Sequence, residues 1–419
     1  MKKKAIALTV TIFLLILGSF LSQQHTNASP FLSAQNQTST TNSSNMNQQL
    51  ITANTQFGFK LFQILWQQEE EENIFISPTS IAYALAMTYN GASGETQQEM
   101  TTALGWQNMS LTEINSAWQI LGEQLSNIDP EIQLNIANSL WLREGFSFLP
   151  QFLENNQTFY NAKVETLDFT KPDAPNIING WVKENTGGKI EEIVDSLSPD
   201  DVLFLINAIY FKGTWTTEFD KKLTTEQPFY LSDNETKPVS MMSQEGNFNY
   251  LENEQFQAIS LPYGNKSLSM YIFLPKENSN LATFYPELNA ENWEKWMSEF
   301  RNKKGFIKLP SFKLEYDVEL NSVLQKLGME KMFEGGKADF SQMTTNPVYI
   351  NQVKHKTFVE VNEEGTEAAA VTSIGIRATS ALPTEENFTM IVDRPFFFAI
   401  RDNQTGTILF MGSIIEPEE

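Results

Sequence analysis

Glu363–Pro383 reads EEGTEAAAVTSIGIRATSALP and lies close to the C-terminus of a 419-residue acidic chain. From Ala368 to Ile376 it holds no charge, no aromatic ring and nothing longer than isoleucine. Laid out as a strand, its side chains alternate between two faces. Thr366, Ala368, Ala370, Thr372, Ile374 and Ile376 share one face, and Glu367, Ala369, Val371, Ser373, Gly375 and Arg377 share the other. All charge falls on the second face. On the first, small side chains lead and larger ones follow, which suits a strand that slides between two existing strands. As a permanent strand the stretch is poor, because alanine and glycine pack little against a pleated neighbour and no aromatic ring compensates. Its length and lack of charge also suit an exposed, cleavable loop. One sequence is therefore compatible with two states. An Ala-rich linker or a plain helix segment is the simpler alternative.

The totals narrow the classes. The chain is long enough for one large domain or two ordinary ones, and 41% hydrophobic content supplies a core. A formal net charge of −22 points away from nucleic acid and anionic lipid, whose phosphates call for clustered Lys and Arg. With no cysteine there is no disulfide, thiolate nucleophile or Cys-ligated metal. Only two histidines occur. His25 falls in the leader or tail, so a His-based zinc site is not expected, and a Ser-His-Asp triad would have to run through His355. No metal or cofactor is expected.

The N-terminus, MKKKAIALTVTIFLLILGSFLSQQ, has three lysines before an apolar run from Ala5 to about Leu21. That is the charged-then-apolar order of a bacterial-type export signal, assigned here to residues 1–29 with no clean cleavage site. Secretion or release to a periplasm is expected, with an uncleaved membrane anchor as the alternative. A stretch rich in Gln, Asn, Ser and Thr follows and is read as a polar flexible linker over residues 30–47, leaving 48–419 as the folded domain.

Along that domain, Leu50, Ala53, Phe57, Leu61 and Ile64 recur at helical spacing, predicting a helix from near residue 48. Ser77 and Pro78 suit a helix start, and Gly91 its stop. LNIANSLWLRE, Leu134–Glu144, reads as a strand. DVLFLINAIYFKGTW is apolar from Val202 to Phe211 except at Asn207, as a strand covered on both faces would be, and SLSMYIFLP, Ser267–Pro275, looks alike. PFFFAIRDNQTGTILFMGSI reads as a hairpin turning at Asn403–Gly406. There is no regular βαβ alternation and no repeat, so the fold class is α+β in one large mixed domain.

Catalytic motifs are missing: there is no nucleophile elbow, no Walker loop and no paired-histidine metal motif. Carboxylate pairs are plentiful, but no acid sits in an evidently apolar stretch. A glycosidase is the remaining catalytic alternative, and the expectation is that the chain is not an enzyme.

Four blocks in order, NIFISPTSIAYALAM, NAIYFKGTW, EVNEEGTEAAA and DRPFFFAIRDNQTGTILFMGSI, resemble the serpins, and the resemblance runs from about Gln48 to Pro417. It implies three β-sheets, about nine helices and an exposed reactive loop near the C-terminus. It also implies a monomer that inhibits serine proteases as a suicide substrate. The protease attacks the loop and forms a covalent acyl-enzyme. The cut loop then inserts into the large sheet and the protease is trapped. A non-inhibitory serpin, acting as a binding or structural protein, is the alternative. Nucleic acid is not an expected partner, nor is a membrane beyond an uncleaved leader.

The family's hinge, an acidic pair, a glycine, a threonine and then small residues, falls on Glu363, Glu364, Gly365, Thr366, Glu367, Ala368, Ala369, Ala370, Val371 and Thr372; it is not spoiled in the way non-inhibitory members often are, and Val371 stands where alanine is commoner. Fourteen residues beyond the hinge glycine lies Thr379, so Thr379–Ser380 is the implied scissile bond and suits an elastase-like or subtilisin-like protease. Arg377–Ala378 is the rival for trypsin-like enzymes. Ser77, Ser80, Asn207 and His355 match a polar cluster beneath the large sheet, with His355 read as a hydrogen-bonded latch and not a base. Trp215 matches a tryptophan at the top of that sheet, where insertion begins.

Overall fold

The structure, a computed structural model, describes residues 30–366 and 387–418 apart from 70–71, 127, 130–131, 199 and 232–234, with side chains from residue 46 onward. Its strands, in chain order, are β1 (Ile74–Ile76), β2 (Ile132–Arg143), β3 (Lys163–Leu167), β4 (Leu203–Thr214), β5 (Thr225–Tyr230), β6 (Thr236–Glu252), β7 (Phe256–Tyr263), β8 (Leu268–Pro275), β9 (Arg301–Pro310), β10 (Phe312–Glu319), β11 (Lys354–Val361), β12 (Gly365–Thr366), β13 (Phe388–Ile391), β14 (Phe396–Asp402) and β15 (Ile408–Ile414). The helices are α1 (Pro30–Gln68), α2 (Pro78–Tyr89), α3 (Gly94–Ala103), α4 (Leu111–Leu125), α5 (Pro150–Tyr160), α6 (Ala174–Asn185), α7 (Leu281–Phe284), α8 (Ala290–Glu299) and α9 (Asn321–Lys326).

The chain divides into two units, residues 1–42 and 43–419. The described part of the first, residues 30–42, is helical. Helix α1 therefore begins at Pro30, inside the stretch expected to be a tether, and not near residue 48. Apolar periodicity marks where a helix buries a face, not where its backbone begins. Within the second unit Leu50, Ala53, Phe57 and Leu61 are buried, as their spacing predicts.

Two sheets hold the second unit together. A six-stranded sheet runs β10-β11-β12-β4-β2-β3, and a nine-stranded one runs β1-β15-β14-β8-β7-β6-β9-β13, with β5 also on β6. The α+β class is as expected, and the resemblance implied a three-sheet architecture. Its three sheets appear as two hydrogen-bonded networks because β6 is 17 residues long: it pairs with β5 and β9 along most of its length and with β7 at its far end.

Strand β4 shows why its sequence is apolar at nearly every position. Ile209 and Phe211 face one core, with Leu203 and Leu205 packed against it, whereas Ile206 and Ala208 face a second core with Phe204 against it. Odd and even positions both meet apolar neighbours, the pattern of a strand with both faces covered. Strand β8 is buried at every residue. The C-terminal hairpin forms as read, with Phe396 opposite Ile414. Helices α4 and α8 and the β5–β7 meander were not anticipated. Helix α4 nonetheless carries a legible start: Ser110 accepts from the Glu113 N–H while Glu113 accepts from Ser110 N, a reciprocal cap.

Candidate functional site

Two groups of residues meet on the six-stranded sheet. The first lies beneath it. Ser77 caps α2: its hydroxyl accepts from Ser80 N at 3.1 Å and donates to the Leu409 carbonyl at 2.6 Å. The Ser77 N–H donates to His355 Nε2 at 3.0 Å. That bond makes Nε2 the acceptor and leaves the imidazole neutral, with its proton on Nδ1. His355 is 5% exposed, and burial pulls its pKa from the ordinary 6.5 down to about 3. The Ser80 hydroxyl donates to Asn207 Oδ1, and Asn207 Nδ2 donates to Asn138 Oδ1 at 2.6 Å. His355, Ser77, Ser80 and Asn207 thus form one continuous chain, joining β11 to α2 and α2 to β4. Among the described residues, His355 Nε2 accepts from the Ser77 backbone N–H and not from a serine hydroxyl. Asn138, which extends the chain into β2, was missed by sequence reading, because it lies beside Asn135 and Ser139 in a strand of mixed polarity, where it does not stand out as Asn207 does in an apolar run.

The second group lies at one end of the sheet. Trp215 follows β4, is 5% exposed and stacks on Tyr263 with ring centroids 4.3 Å apart. Its indole N–H donates to the Asn362 carbonyl at 3.0 Å, and its backbone N–H to Glu364 O at 2.9 Å. Glu363 O accepts from Phe219 N at 2.9 Å, and its carboxylate accepts from the Thr224 hydroxyl at 2.7 Å. The Glu364 side chain, only 9% exposed, pairs with Lys221 Nζ at 2.5 Å.

Gly365 has φ +153°, and a Cβ built there would lie 2.2 Å from the Gly213 carbonyl oxygen and 2.7 Å from Thr214 Cα. Only glycine meets both conditions. Thr366, 2% exposed, sits opposite Gly213 of β4 on one side and Val361 of β11 on the other. Its hydroxyl shares a 2.7 Å hydrogen bond with the buried Tyr263 hydroxyl. Glycine at 213 leaves room for the Tyr263 ring, 3.1 Å from where a Cβ would be.

Strands β4 and β11 are joined through β12. Among the described residues no backbone ladder runs directly from one to the other. Glu367, Ala368, Ala369, Ala370, Val371, Thr372, Arg377, Ala378, Thr379 and Ser380 lie outside the described residues, as does the stretch expected to be a leader, residues 1–29. Among the described residues, no group of three or more His, Asp or Glu is placed to hold a metal, and no helix is long and apolar enough to cross a membrane.

A family model described as serpin (serine protease inhibitor) matches residues 52–417. The match begins downstream of residues 1–29, and the bacterial origin expected from that stretch is not borne out by the mammalian relatives. Leukocyte elastase inhibitor of Homo sapiens is 40% identical over 385 residues, covering 88% of this chain and all of that protein. Among solved structures, human thyroxine-binding globulin complexed with thyroxine superposes with TM-score 0.82 at 28% identity, covering 89% of this chain and all of the other. The thermophilic serpin tengpin in its native state gives TM-score 0.79 at 34% identity, covering 87% of this chain and 94% of the other.

Proposed function

The chain belongs to the serpin family of serine protease inhibitors, and from that premise we propose that it is a suicide-substrate inhibitor whose cut loop enters the six-stranded sheet between β4 and β11. The observation that carries this reading is β12. The backbone leading into the loop is already bonded on both sides by the two strands that would have to admit it. Beyond Thr366 each further residue would add strand pairing. A strand of about a dozen residues forms about ten backbone hydrogen bonds, each worth roughly 0.5–1.5 kcal/mol net. Burial of Ile374 and Ile376 on the inner face adds a few kcal/mol. In this reading the uncut protein is held kinetically above a more stable state.

The protease acylates itself on the loop, and the race between insertion and deacylation decides whether it is trapped or released. The cut is assigned to Thr379–Ser380, with Arg377–Ala378 as the rival, and the target class to elastase-like and subtilisin-like proteases. The human relative is named an elastase inhibitor, which supports that class. His355, Ser77, Ser80 and Asn207 act as a latch holding β11 and β4 to α2, with no catalytic role. Export rests on Met1–Leu21 alone.

Incubation with pancreatic elastase and with subtilisin is the test. A covalent complex that survives boiling in detergent is expected, and mass spectrometry of the released C-terminal fragment should begin at Ser380. Loop cleavage with no complex would overturn the inhibitory reading in favour of a binding or structural serpin. The likeness to a protein described with bound thyroxine is what favours that second reading.

A further inference from the structure

Glu363 and Glu364 are adjacent carboxylates immediately before Gly365 and Thr366 of β12, and two like charges side by side repel. The segment Trp215–Thr224 grips them by four bonds. Two come from the backbone N–H groups of Trp215 and Phe219 to the Glu364 and Glu363 carbonyls. Two come from side chains, the Thr224 hydroxyl to Glu363 and Lys221 Nζ to Glu364.

Lys221 opens a 3-10 turn, Lys221–Leu223, whose geometry is set by Asp220. The Asp220 carboxylate accepts from Lys222 N at 3.0 Å and its carbonyl accepts from Leu223 N at 2.8 Å. The lysine is 63% exposed, but the carboxylate it meets is only 9% exposed. Leaving a carboxylate that buried without its cation is costly, whereas the lysine alone loses little. Glu363 and Glu218 add to the negative field at Lys221, so the ammonium sits among three acids. Directly downstream, Gly365 lies against the β4 backbone and Thr366 is paired on both sides.

Resting on the inhibitory reading, we propose that Lys221 and Thr224 are positioning residues: they hold the Glu363–Glu364 pair so that Thr366 stays in register between β4 and β11, which favours insertion over deacylation. They touch neither the protease nor the scissile bond. Their effect is on the partition of the acyl-enzyme, not on its formation.

The experiment compares wild type, Lys221→Ala, Lys221→Ala with Thr224→Val, and Lys221→Arg against one elastase. Densitometry of boiled detergent gels gives the fraction of inhibitor cleaved instead of trapped, and progress curves give the second-order rate constant corrected for that fraction. The cleaved fraction is expected to rise several-fold in Lys221→Ala and further in the double variant, with the corrected rate constant unchanged. Lys221→Arg should return it close to wild type. Lys221→Ala removes no buried apolar packing, and a matching circular dichroism spectrum verifies that the variant keeps the fold despite the cost at Glu364. The clamp is overturned if the cleaved fraction stays at the wild-type value, or if only the corrected rate constant falls, which would place Lys221 at the docking step. Wild-type protein that is cleaved without any complex overturns the inhibitory reading itself, and this proposal with it.

Discussion

His355 shows how one side chain couples the sheet to solvent pH. Its folded pKa is about 3 against an ordinary 6.5, so the neutral form is the one the fold requires. A base whose folded pKa is depressed stabilises the native state above 6.5, and that stability is lost as pH falls from 6.5 towards 3. At about 1.4 kcal/mol per pKa unit, the gap amounts to roughly 5 kcal/mol over that window. Thermal midpoints should therefore fall between pH 6.5 and 4 more steeply in wild type than in His355→Gln. Parallel slopes for the two proteins would show that His355 charges without cost. Gly365 is the other position where a single atom decides. Gly365→Ala places a methyl 2.2 Å from the Gly213 carbonyl oxygen, on a backbone angle that L side chains rarely adopt. The β12 pairing should break, and the variant should be cleaved as a substrate by a protease that wild type traps. Retained trapping would show that the pairing at Gly365 is dispensable.

Strand β13 is the next described strand after β12 and pairs in parallel with β9. Phe388 opens it, stacked on Tyr250 at 3.9 Å and lying across Gly305, where a Cβ would come within 2.2 Å of the ring. Gly305→Ala should expel that ring and detach the start of β13, destabilising the protein by about 1–3 kcal/mol, as overpacked sites do. A lowered thermal midpoint checks this, and an unaltered one would mean that β13 can shift to accommodate the methyl. Elements of this kind show the limits of reading from periodicity. Strands β4 and β8 were legible because both their faces are apolar, and the β14–β15 hairpin because turn residues separate two apolar runs. The β5–β7 meander mixes Pro, Asn, Gly and charges with its apolar residues, so no period of two stands out. Helix α4 was legible through its Ser110–Glu113 cap but was passed over.

For the molecule as a whole, insertion predicts that protein nicked in the loop melts well above the intact form. An unchanged midpoint after complete nicking would mean that no strand has been gained. The net charge of −22 makes a separate prediction. Association with a cationic protease should slow as salt is raised, because screening removes the long-range attraction. An association rate indifferent to salt would confine recognition to short-range contacts.

The serpin family, the α+β class, strands β2, β4, β8, β14 and β15 and helix α2 were legible in the chain, since each is written in consecutive or evenly spaced residues. The neighbours of those residues were not. Only the family resemblance grouped Ser77 with His355, which meet across 278 positions, and nothing grouped Lys221 with Glu364, which meet across 143. Neither lysine nor histidine carries any local mark of its partner, because a hydrogen bond or ion pair depends on where two backbones are brought together and not on what lies beside each in sequence. Folding also set how deeply each group is buried, and with it the neutral His355 and the nearly enclosed Glu364 carboxylate.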